Sequence, residues 1–305
     1  MAIEAFHRPG QKTFGPWGNH TSSLDWCEDN YTHLTFIAEF WNTTSNIPFI
    51  MLGIFGVLST YGLPSRTRYA LAHSFIAIIG TGSFIFHGTL LWHAQVILDE
   101  LPMLWSAAIS LYLTSVGGAV DGSLKLKMLI TAIPIGFSWL YLCFPHPLLH
   151  QVAFAGMQVV SVLQGVRLFE SLPSATAEQR RMVSACKYHF FVGAGVFLLG
   201  FAIWNVDNLF CVQLTAFRSK HGEIAGALTQ GHAWWHLLTG LGGSRLFSAL
   251  TFLTLAAREP DAFEFATYFG HPYVIRKGVD PMRKLKVQLN HVPVGGEKGP
   301  LEINE

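Results

Sequence analysis

The fold of this chain is decided by two short stretches, Ser83-Phe84-Ile85-Phe86-His87 and Gly231-His232-Ala233-Trp234-Trp235-His236. Each places imidazoles inside sequence that is otherwise apolar enough for a membrane, where a polar group without a partner is costly. His232 and His236 stand four residues apart, so on a helix they share one face. With His87 from another segment they offer three ligands and leave one position open, as catalytic zinc requires. The pattern therefore predicts helices that gather around a metal.

Any single one of these histidines could instead be an interior residue that only hydrogen-bonds to its neighbours. The metal-binding interpretation is favoured because two imidazoles stand at i and i+4 and the third lies at a compatible depth. Neutral imidazole suits zinc, although copper and nickel accept the same ligand type. His93 and His189 are weaker candidates, because His93 falls in a short loop and His189 near the opposite face.

The composition predicts an integral membrane protein. Hydrophobic residues make up 50% of the 305 residues and charged residues only 13%, which is too apolar for an ordinary soluble domain. The net charge of +1 argues against a nucleic-acid partner. Four cysteines without a CxxC pair exclude a thiolate zinc site of the zinc-finger type. No cleavable signal peptide is recognisable, so the first apolar segment is expected to direct the chain to the membrane.

Seven long apolar segments follow a polar N-terminal stretch of residues 1–32, and each is near the ~20 residues that a spanning helix needs. They cover residues 34–62, 70–91, 97–116, 127–143, 147–167, 188–206 and 224–256. We therefore predict an all-α, seven-helix transmembrane bundle over residues 33–257. Residues 258–305 are expected to form a mobile cytosolic tail.

Basic residues predict the orientation of this bundle. Fifteen lysines and arginines fall on one side and four, including Arg8, on the other, and the basic side is usually cytosolic. The C-terminus is thus predicted to be cytosolic and the N-terminus lumenal or extracellular. His87, Asp99 and the paired histidines then share the non-cytosolic half, with the pair ~12–18 Å deep in the seventh span. Arg245, in the same span, either pairs with a carboxylate or lines the cavity.

Two polar residues are candidate catalytic groups beside the histidines. Asp99 is either a loop carboxylate ahead of Pro102 or a general base for water that a metal activates. Ser83 either bonds to its own helix backbone or donates to a developing oxyanion. Glu100 is interpreted as structural.

A second candidate metal site precedes the first span. Asp25, Glu28, Asn30 and Glu39 form an oxygen-rich set of the kind that calcium binds, without the spacing of an EF-hand. The alternative is a solvated loop that caps a helix.

Cys27 and Cys211 both fall on the non-cytosolic side, where disulfides persist, and Cys143 competes as a partner. Asn19 opens the glycosylation sequon Asn19-His20-Thr21. The second sequon, at Asn30, is disfavoured if Asn30 binds a metal.

Several motifs together resemble the alkaline ceramidases. They are Asp25-Trp26-Cys27-Glu28 with Asn30, Glu39-Phe40-Trp41-Asn42-Thr43, Ser83-x-x-x-His87, Asp99-Glu100-Leu101-Pro102-Met103, the Gly231–His236 stretch, and Trp204-Asn205-x-Asp207-Asn208 with Cys211. The likeness covers about residues 16–256 and leaves out the tail. It implies a membrane amidase of the endoplasmic reticulum or Golgi that cleaves ceramide, phytoceramide or dihydroceramide into a sphingoid base and a fatty acid.

The resemblance also implies roles for individual residues. Zinc would be bound by His87, His232 and His236, with Asp99 as acid and base and Ser83 beside it. Calcium would be bound by Asp25, Trp26 through its carbonyl, Glu28, Asn30 and Glu39, and the disulfide would join Cys27 to Cys211. The segment between His87 and Asp99 is one residue longer than the family pattern, and Gly243-Ser244-Arg245 replaces a sequence that contains an aromatic residue.

Two other functions compete with the hydrolase. One is a seven-helix zinc receptor of the adiponectin-receptor type. The other is a metal or proton transporter, which is disfavoured because the polar residues gather in one half of the membrane. The expected partner is a lipid substrate in the bilayer, and the sequence indicates no protein partner.

Overall fold

The computed structural model describes residues 11–280 and residue 282, so Arg8 and the tail residues 283–305 lie outside it. A small hairpin, β1 (Phe14–Gly15) and β2 (Gly18–Asn19), precedes the helices. The helices are α1 (Phe40–Thr44), α2 (Asn46–Ser59), α3 (Arg66–Thr89), a π-helix (Ala94–Glu100), α4 (Leu101–Val116), α5 (Leu124–Cys143), α6 (Pro147–Leu168), a 3₁₀ turn (Phe169–Ser171), α7 (Ala177–Leu209), α8 (Cys211–Leu228) and α9 (Gly231–Ala256). A second hairpin, β3 (Phe263–Tyr268) and β4 (His271–Arg276), follows.

The described chain is mostly helical and has the character of a membrane protein. Five of its segments are long and apolar enough to cross a bilayer. They are Arg66–Thr89, Ala94–Val116, Leu124–Cys143, Pro147–Ser171 and Ala177–Leu209. The predicted first span is divided at Ser45 into α1 and the 14-residue α2, which alone is shorter than the ~20 residues of a typical span.

Helix α9 is the central helix of the bundle. Every residue from Phe247 to Ala256 is buried, because α2, α3, α4 and α7 surround this half of the helix. Contact with α7 is close at Gly242, where an added Cβ would lie 2.7 Å from the carbonyl oxygen of Gly193. Small residues permit this approach of two helix backbones. Thr239, Gly240, Gly242, Ser244 and Ser248 of α9 are accordingly buried against protein.

The predicted seventh span, residues 224–256, is wrong at its beginning. Helix α8 ends at Leu228 and α9 begins at Gly231. The Asp207 carboxylate explains this beginning, because it accepts a hydrogen bond from the Gly231 amide at 3.1 Å and pairs with buried Arg218 at 3.0 Å. A carboxylate at a helix N-terminus satisfies a free amide and favours the helix dipole. The paired histidines thus lie in the first two turns of α9. The prediction that they lie ~12–18 Å from the beginning of the helix is wrong, because the helix begins at Gly231.

The disulfide implied by the family resemblance is present. Cys27 and Cys211 are bonded, with their Cα atoms 5.4 Å apart. Cys143 is free and exposed, and Cys186 is free and buried. The bridge ties the N-terminal segment to the first residue of α8. Arg218 adds a second tie, because its guanidinium donates to the Cys27 carbonyl at 2.8 Å.

The hairpin β3–β4 was not predicted from the sequence. Its strands are antiparallel, with Phe263 opposite Arg276 and Tyr268 opposite His271. Phe263, Tyr273 and Val274 are buried, because β4 packs against α2 and α9. The first part of the predicted tail therefore covers the bundle, and burial of its aromatic and aliphatic side chains accounts for its order.

Candidate metal centre

Three imidazoles converge between α3 and the first two turns of α9. The ligand nitrogens of His87, His232 and His236 all lie within 4.8 Å of one another. Their ring centroids are 4.7–4.9 Å apart, and all three side chains are buried. Across the part of the chain that the structure describes, no other group of three His, Cys, Asp or Glu side chains is this close. The predicted convergence is confirmed as geometry.

The hydrogen bonds around the rings fit a bound metal ion. Nδ1 of His87 lies 2.5 Å from Glu39 Oε2, the arrangement in which a carboxylate fixes the tautomer of a metal-binding histidine. In His87, Nε2 is then the unprotonated nitrogen and is able to bind a metal. The Ser45 hydroxyl donates to the Asn42 carbonyl at 3.0 Å and lies 2.9 Å from His236 Nδ1, so it orients the second ring.

His232 strengthens this fit. Its Nδ1 is buried and makes no hydrogen bond to any described residue, which is costly unless another group binds it. The Trp26 ring packs over this imidazole with centroids 4.3 Å apart. The rings therefore have fixed orientations and at least one uncommitted buried nitrogen.

Local backbone structure explains how Glu39 reaches His87. The Ala38 and Glu39 amides donate to the carbonyls of Gly88 and His87, both at 3.0 Å. This extended segment thus runs along the C-terminal end of α3. Glu39 is the N-cap residue of α1, so its side chain stands beside the imidazole and not inside a spanning helix. The predicted position of Glu39 within the first span is corrected.

Asp99 and Ser83 lie next to the histidines. The Ser83 hydroxyl lies beside the Asp99 carboxylate and 3.3 Å from His236 Nε2. Ser83 is buried and Asp99 is half-buried. A carboxylate, a hydroxyl and three imidazoles therefore share one small volume, the composition that metal-assisted hydrolysis needs.

The π-helix explains the position of Asp99. Residues Ala94–Glu100 form the wider turn of a π-helix, a feature that is frequent at functional sites. Asp99 is the sixth residue of this π-helix. The π-helix approaches α3 so closely that a Cβ on Gly82 would lie 1.8 Å from the Leu98 carbonyl oxygen.

We expect Gly82→Ala to displace the π-helix and to lower activity. The added methyl group cannot coexist with the Leu98 carbonyl, so either the helix shifts or stability falls by about 1–3 kcal/mol. Any turnover that depends on Asp99 should decrease about tenfold or more, because Asp99 follows Leu98. Thermal unfolding in detergent and a turnover assay measure the two effects. Gly136→Ala is the matched control, since open space surrounds that glycine of α5. Equal activity of both variants would contradict the role of this contact.

Glu100 supports the π-helix from the other side. Its carboxylate accepts hydrogen bonds from Tyr141 at 2.6 Å and Gln95 at 3.1 Å, and its carbonyl oxygen lies 2.9 Å from His150 Nε2. These contacts agree with the structural interpretation of Glu100. The sequence analysis did not identify Tyr141 and His150 as partners, because they come from α5 and α6 and no short motif links them to Glu100.

Only some of the predicted calcium ligands before α1 lie in contact with one another. The Glu28 carboxylate accepts from the amides of Trp41 and Asn42 at 2.7 and 2.8 Å, and Asp25 Oδ1 lies 3.2 Å from Asn30 Nδ2. Burial, followed by the charge of Glu39, raises the pKa of Glu28 to about 8. Within residues 11–280 and 282 these carboxylates do not come as close together as the three histidines do.

Two observations nevertheless fit a cation at the acidic set. Asn30 Oδ1 is buried and has no hydrogen-bond partner among the described residues. Burial and, after it, the neighbouring charge of Glu39 both disfavour the ionised Glu28 carboxylate, and a divalent cation would stabilise it. The Trp26 amide donates to Glu39 Oε1 at 3.2 Å. Glu39 thus touches the acidic set and His87 at once.

The weaker candidates lie away from the histidine cluster. His93 is exposed immediately before the π-helix, and His189 stands against Phe265 of β3. Arg245 was predicted to pair with a carboxylate or to line the cavity. Its guanidinium instead donates to the Gly270 carbonyl at 3.3 Å. Asn19 is exposed and stays a predicted glycosylation site. Asn30 is buried, which agrees with its rejection as a sequon.

Comparison with known proteins identifies related chains over most of this sequence. A family model described as Ceramidase matches residues 18–275. Alkaline ceramidase 3 of Mus musculus is 37% identical over 235 residues, which cover 75% of this chain and 82% of the relative. Alkaline ceramidase YPC1 of Saccharomyces cerevisiae is 31% identical over 258 residues, 79% of each chain. Alkaline ceramidase of Arabidopsis thaliana is 26% identical over 239 residues, 78% of this chain and 84% of the relative.

The matched range also corrects the extent of the resemblance. The family model continues to residue 275, whereas the sequence motifs ended near residue 256. The additional residues are those of the β3–β4 hairpin. The hairpin therefore lies within the range that the family model matches, apart from its last residue, Arg276.

Proposed function

This chain belongs to the ceramidase family, and from that premise we propose that it is a zinc-dependent amidohydrolase of the membrane. The proposed substrate is ceramide, phytoceramide or dihydroceramide, and the products are a sphingoid base and a free fatty acid. The observation that carries the proposal is the convergence of His87, His232 and His236 beside Ser83 and Asp99. We propose the endoplasmic reticulum or the Golgi as its location.

Zinc is the metal that we assign to the three imidazoles. The ligands are neutral nitrogens without thiolates, two of the rings are oriented by oxygen atoms, and the third has a buried nitrogen without a partner. When bound, zinc would polarise the amide carbonyl and lower the pKa of a coordinated water molecule.

The other residues divide the remaining chemistry between them. Asp99 takes a proton from the attacking water and later delivers it to the departing nitrogen. The Ser83 hydroxyl donates to the oxygen that becomes negative during attack. Glu39 holds the His87 ring, and Ser45 holds that of His236, so neither ring has to reorient.

The substrate is proposed to approach through the bilayer. An open groove of about 310 Å³ lies between the end of α3 and the π-helix. Its lining is apolar and includes Ile85, Leu91, Ile97 and Leu98, and Leu98 adjoins Asp99. We assign one hydrocarbon chain of the lipid to this groove, because an apolar surface beside the catalytic carboxylate suits an acyl or sphingoid chain.

Seven spans are proposed in place of the five that length and composition support. The additional spans are α2, continued by α1, and α9, which is shielded by the surrounding helices. The basic residues then place the C-terminus in the cytosol and the N-terminus in the lumen or outside the cell. This orientation puts the Cys27–Cys211 disulfide in an oxidising compartment.

Calcium is proposed at Asp25, Trp26 through its carbonyl, Glu28, Asn30 and Glu39. The raised pKa of Glu28 and the unsatisfied Asn30 oxygen support this proposal. We assign the calcium ion a structural role, because the acidic set is joined to α1 through Glu28 and to the disulfide through Cys27.

We expect Asp25→Asn to weaken calcium binding without removing zinc. Loss of one carboxylate should decrease the calcium affinity about tenfold or more, whereas the three histidines keep their contacts. Calorimetric titration measures the calcium affinity, and elemental analysis measures the zinc content. Asp29→Asn is the matched control, because Asp29 is exposed and is not an assigned ligand. Unchanged calcium affinity in Asp25→Asn would refute the assignment.

A direct assay tests the function itself. Purified protein is incubated with ceramide in mixed micelles, and the released sphingoid base is measured by mass spectrometry. The hydrolase proposal requires multiple turnovers and equal amounts of base and fatty acid. A receptor of the adiponectin-receptor type would give slow or no turnover, and a transporter would move ions across a vesicle without cleavage. Either result would displace the proposal.

A further inference from the structure

A second polar cluster lies in the C-terminal half of α9, away from the histidine triad. It consists of Ser244 and Arg245 on α9, His189 on α7 and His271 on β4. Ser244 Oγ lies 3.0 Å from His271 Nε2, and the Arg245 guanidinium donates to the Gly270 carbonyl at 3.3 Å. His189 packs against Phe265 of β3 with ring centroids 4.8 Å apart. The cluster therefore joins two helices to the hairpin.

Where α7 and α9 cross, His189 and Arg245 lie at the same height along the two helices. The two helices are antiparallel and meet at Gly193 and Gly242. His189 precedes Gly193 by about one turn, and Arg245 follows Gly242 by three residues, so both lie on the same side of the crossing. Burial, followed by the neighbouring Arg245 and His189, lowers the pKa of His271 to about 4, so this imidazole is neutral at pH 7.

Three buried nitrogens of this cluster lack partners. Arg245 Nε, His189 Nδ1 and His271 Nδ1 make no hydrogen bond to any residue that the structure describes. When the Ser244 hydroxyl donates to Nε2 of His271, the proton of that ring is on Nδ1, which is then a donor. Buried donors without acceptors are costly. An anion with several oxygens is the ligand that would satisfy them.

The cluster also lies where a helix passes out of the apolar layer. From Phe190 to Val206, α7 contains no charged residue, whereas its preceding turns carry Glu178, Arg180, Arg181 and Lys187. His189 stands at this boundary. The neighbouring Tyr188 is 59% exposed, and Phe269, in the turn next to Gly270, is 92% exposed. Exposed aromatic side chains are typical of the interface between acyl chains and headgroups.

We propose that Arg245, His189 and the β3–β4 turn form a binding site for the phosphate of an anionic phospholipid. Arg245 supplies the charge and a planar fork of donors that suits phosphate. The imidazoles of His189 and His271 add neutral donors, and Phe269 and Tyr188 lie against the acyl chains. With the orientation proposed above, the lipid belongs to the cytosolic leaflet. The bound lipid fastens the hairpin to the helices at a distance from the amidase site.

The test uses the full-length protein in detergent micelles with increasing mole fractions of dioleoylphosphatidate. Phosphatidate should raise the temperature of unfolding, and an equal fraction of dioleoylphosphatidylcholine should not. In Arg245→Gln the mole fraction for half of the effect should increase about tenfold, the loss expected for one charged hydrogen-bonding group. His189→Gln should also increase the mole fraction for half of the effect. It is the variant to use if Arg245→Gln does not fold. Arg181→Gln, an exposed arginine of α7, is the matched control.

Several outcomes would overturn the proposal. One is an equal response of wild-type protein, Arg245→Gln and His189→Gln to phosphatidate. Another is equal stabilisation by phosphatidylcholine, which would show that charge is not recognised. A third is the same stabilisation by millimolar inorganic phosphate in lipid-free micelles, which would assign the site to a free anion.

Discussion

His232→Ala is expected to decrease ceramide hydrolysis by at least about a thousandfold and to reduce the zinc content of the purified protein. The metal supplies several kcal/mol of transition-state stabilisation, and each 1.4 kcal/mol corresponds to about tenfold in rate. Two imidazoles and water hold zinc far less tightly than three imidazoles do. His232 is the most informative of the three, because its buried Nδ1 has no hydrogen-bond partner among the described residues.

Elemental analysis distinguishes loss of the metal from loss of the fold. His232→Ala should remain a monodisperse protein with the Cys27–Cys211 bridge intact, since neither cysteine touches the imidazole through a described hydrogen bond. His221→Ala is the matched control, because His221 is exposed on α8 and lies outside the cluster and the apolar groove. If His232→Ala kept full turnover with less than a tenth of its zinc, the assignment of a catalytic metal would be wrong.

Asp99→Asn should lower turnover by about 10²- to 10⁴-fold, which is the usual contribution of a positioned general base. Asparagine preserves the shape of the side chain and can still accept a hydrogen bond from Ser83, so the π-helix should keep its position. It cannot accept the proton of the attacking water. The zinc content and the temperature of unfolding should therefore stay close to those of the wild type.

Separation of kcat from KM shows whether Asp99 acts in the chemical step. The decrease should fall on kcat, because the carboxylate is needed in the transition state more than for binding. Asp121→Asn serves as the control, because Asp121 is an exposed carboxylate in the loop between α4 and α5. A change confined to KM, or a loss of zinc together with activity, would assign Asp99 to substrate binding or to the metal ligands.

Much of the site was predictable because its chemistry is carried by rare residues in apolar sequence. Histidines at i and i+4 share a helix face whatever the tertiary structure is, and the prediction that His87 joins them required only that α3 and α9 be neighbours. The identity of the disulfide followed from the family resemblance, since residue reasoning left Cys143 as an alternative. The boundaries were less predictable. Hydropathy does not distinguish α8 from α9, whose separation depends on the distant carboxylate of Asp207.

The amino-acid sequence by itself determined that the chain is helical, apolar and equipped with three imidazoles, a serine and a carboxylate suited to metal-assisted hydrolysis. Only the tertiary structure decided that Glu39 orients His87, that Ser45 orients His236, that a π-helix presents Asp99, and that the β3–β4 hairpin covers the bundle. The physical reason is that periodicity and composition act over a few turns of one helix. Hydrogen bonds such as that between Glu39 and His87 join residues far apart in sequence, and they form only after the helices have packed.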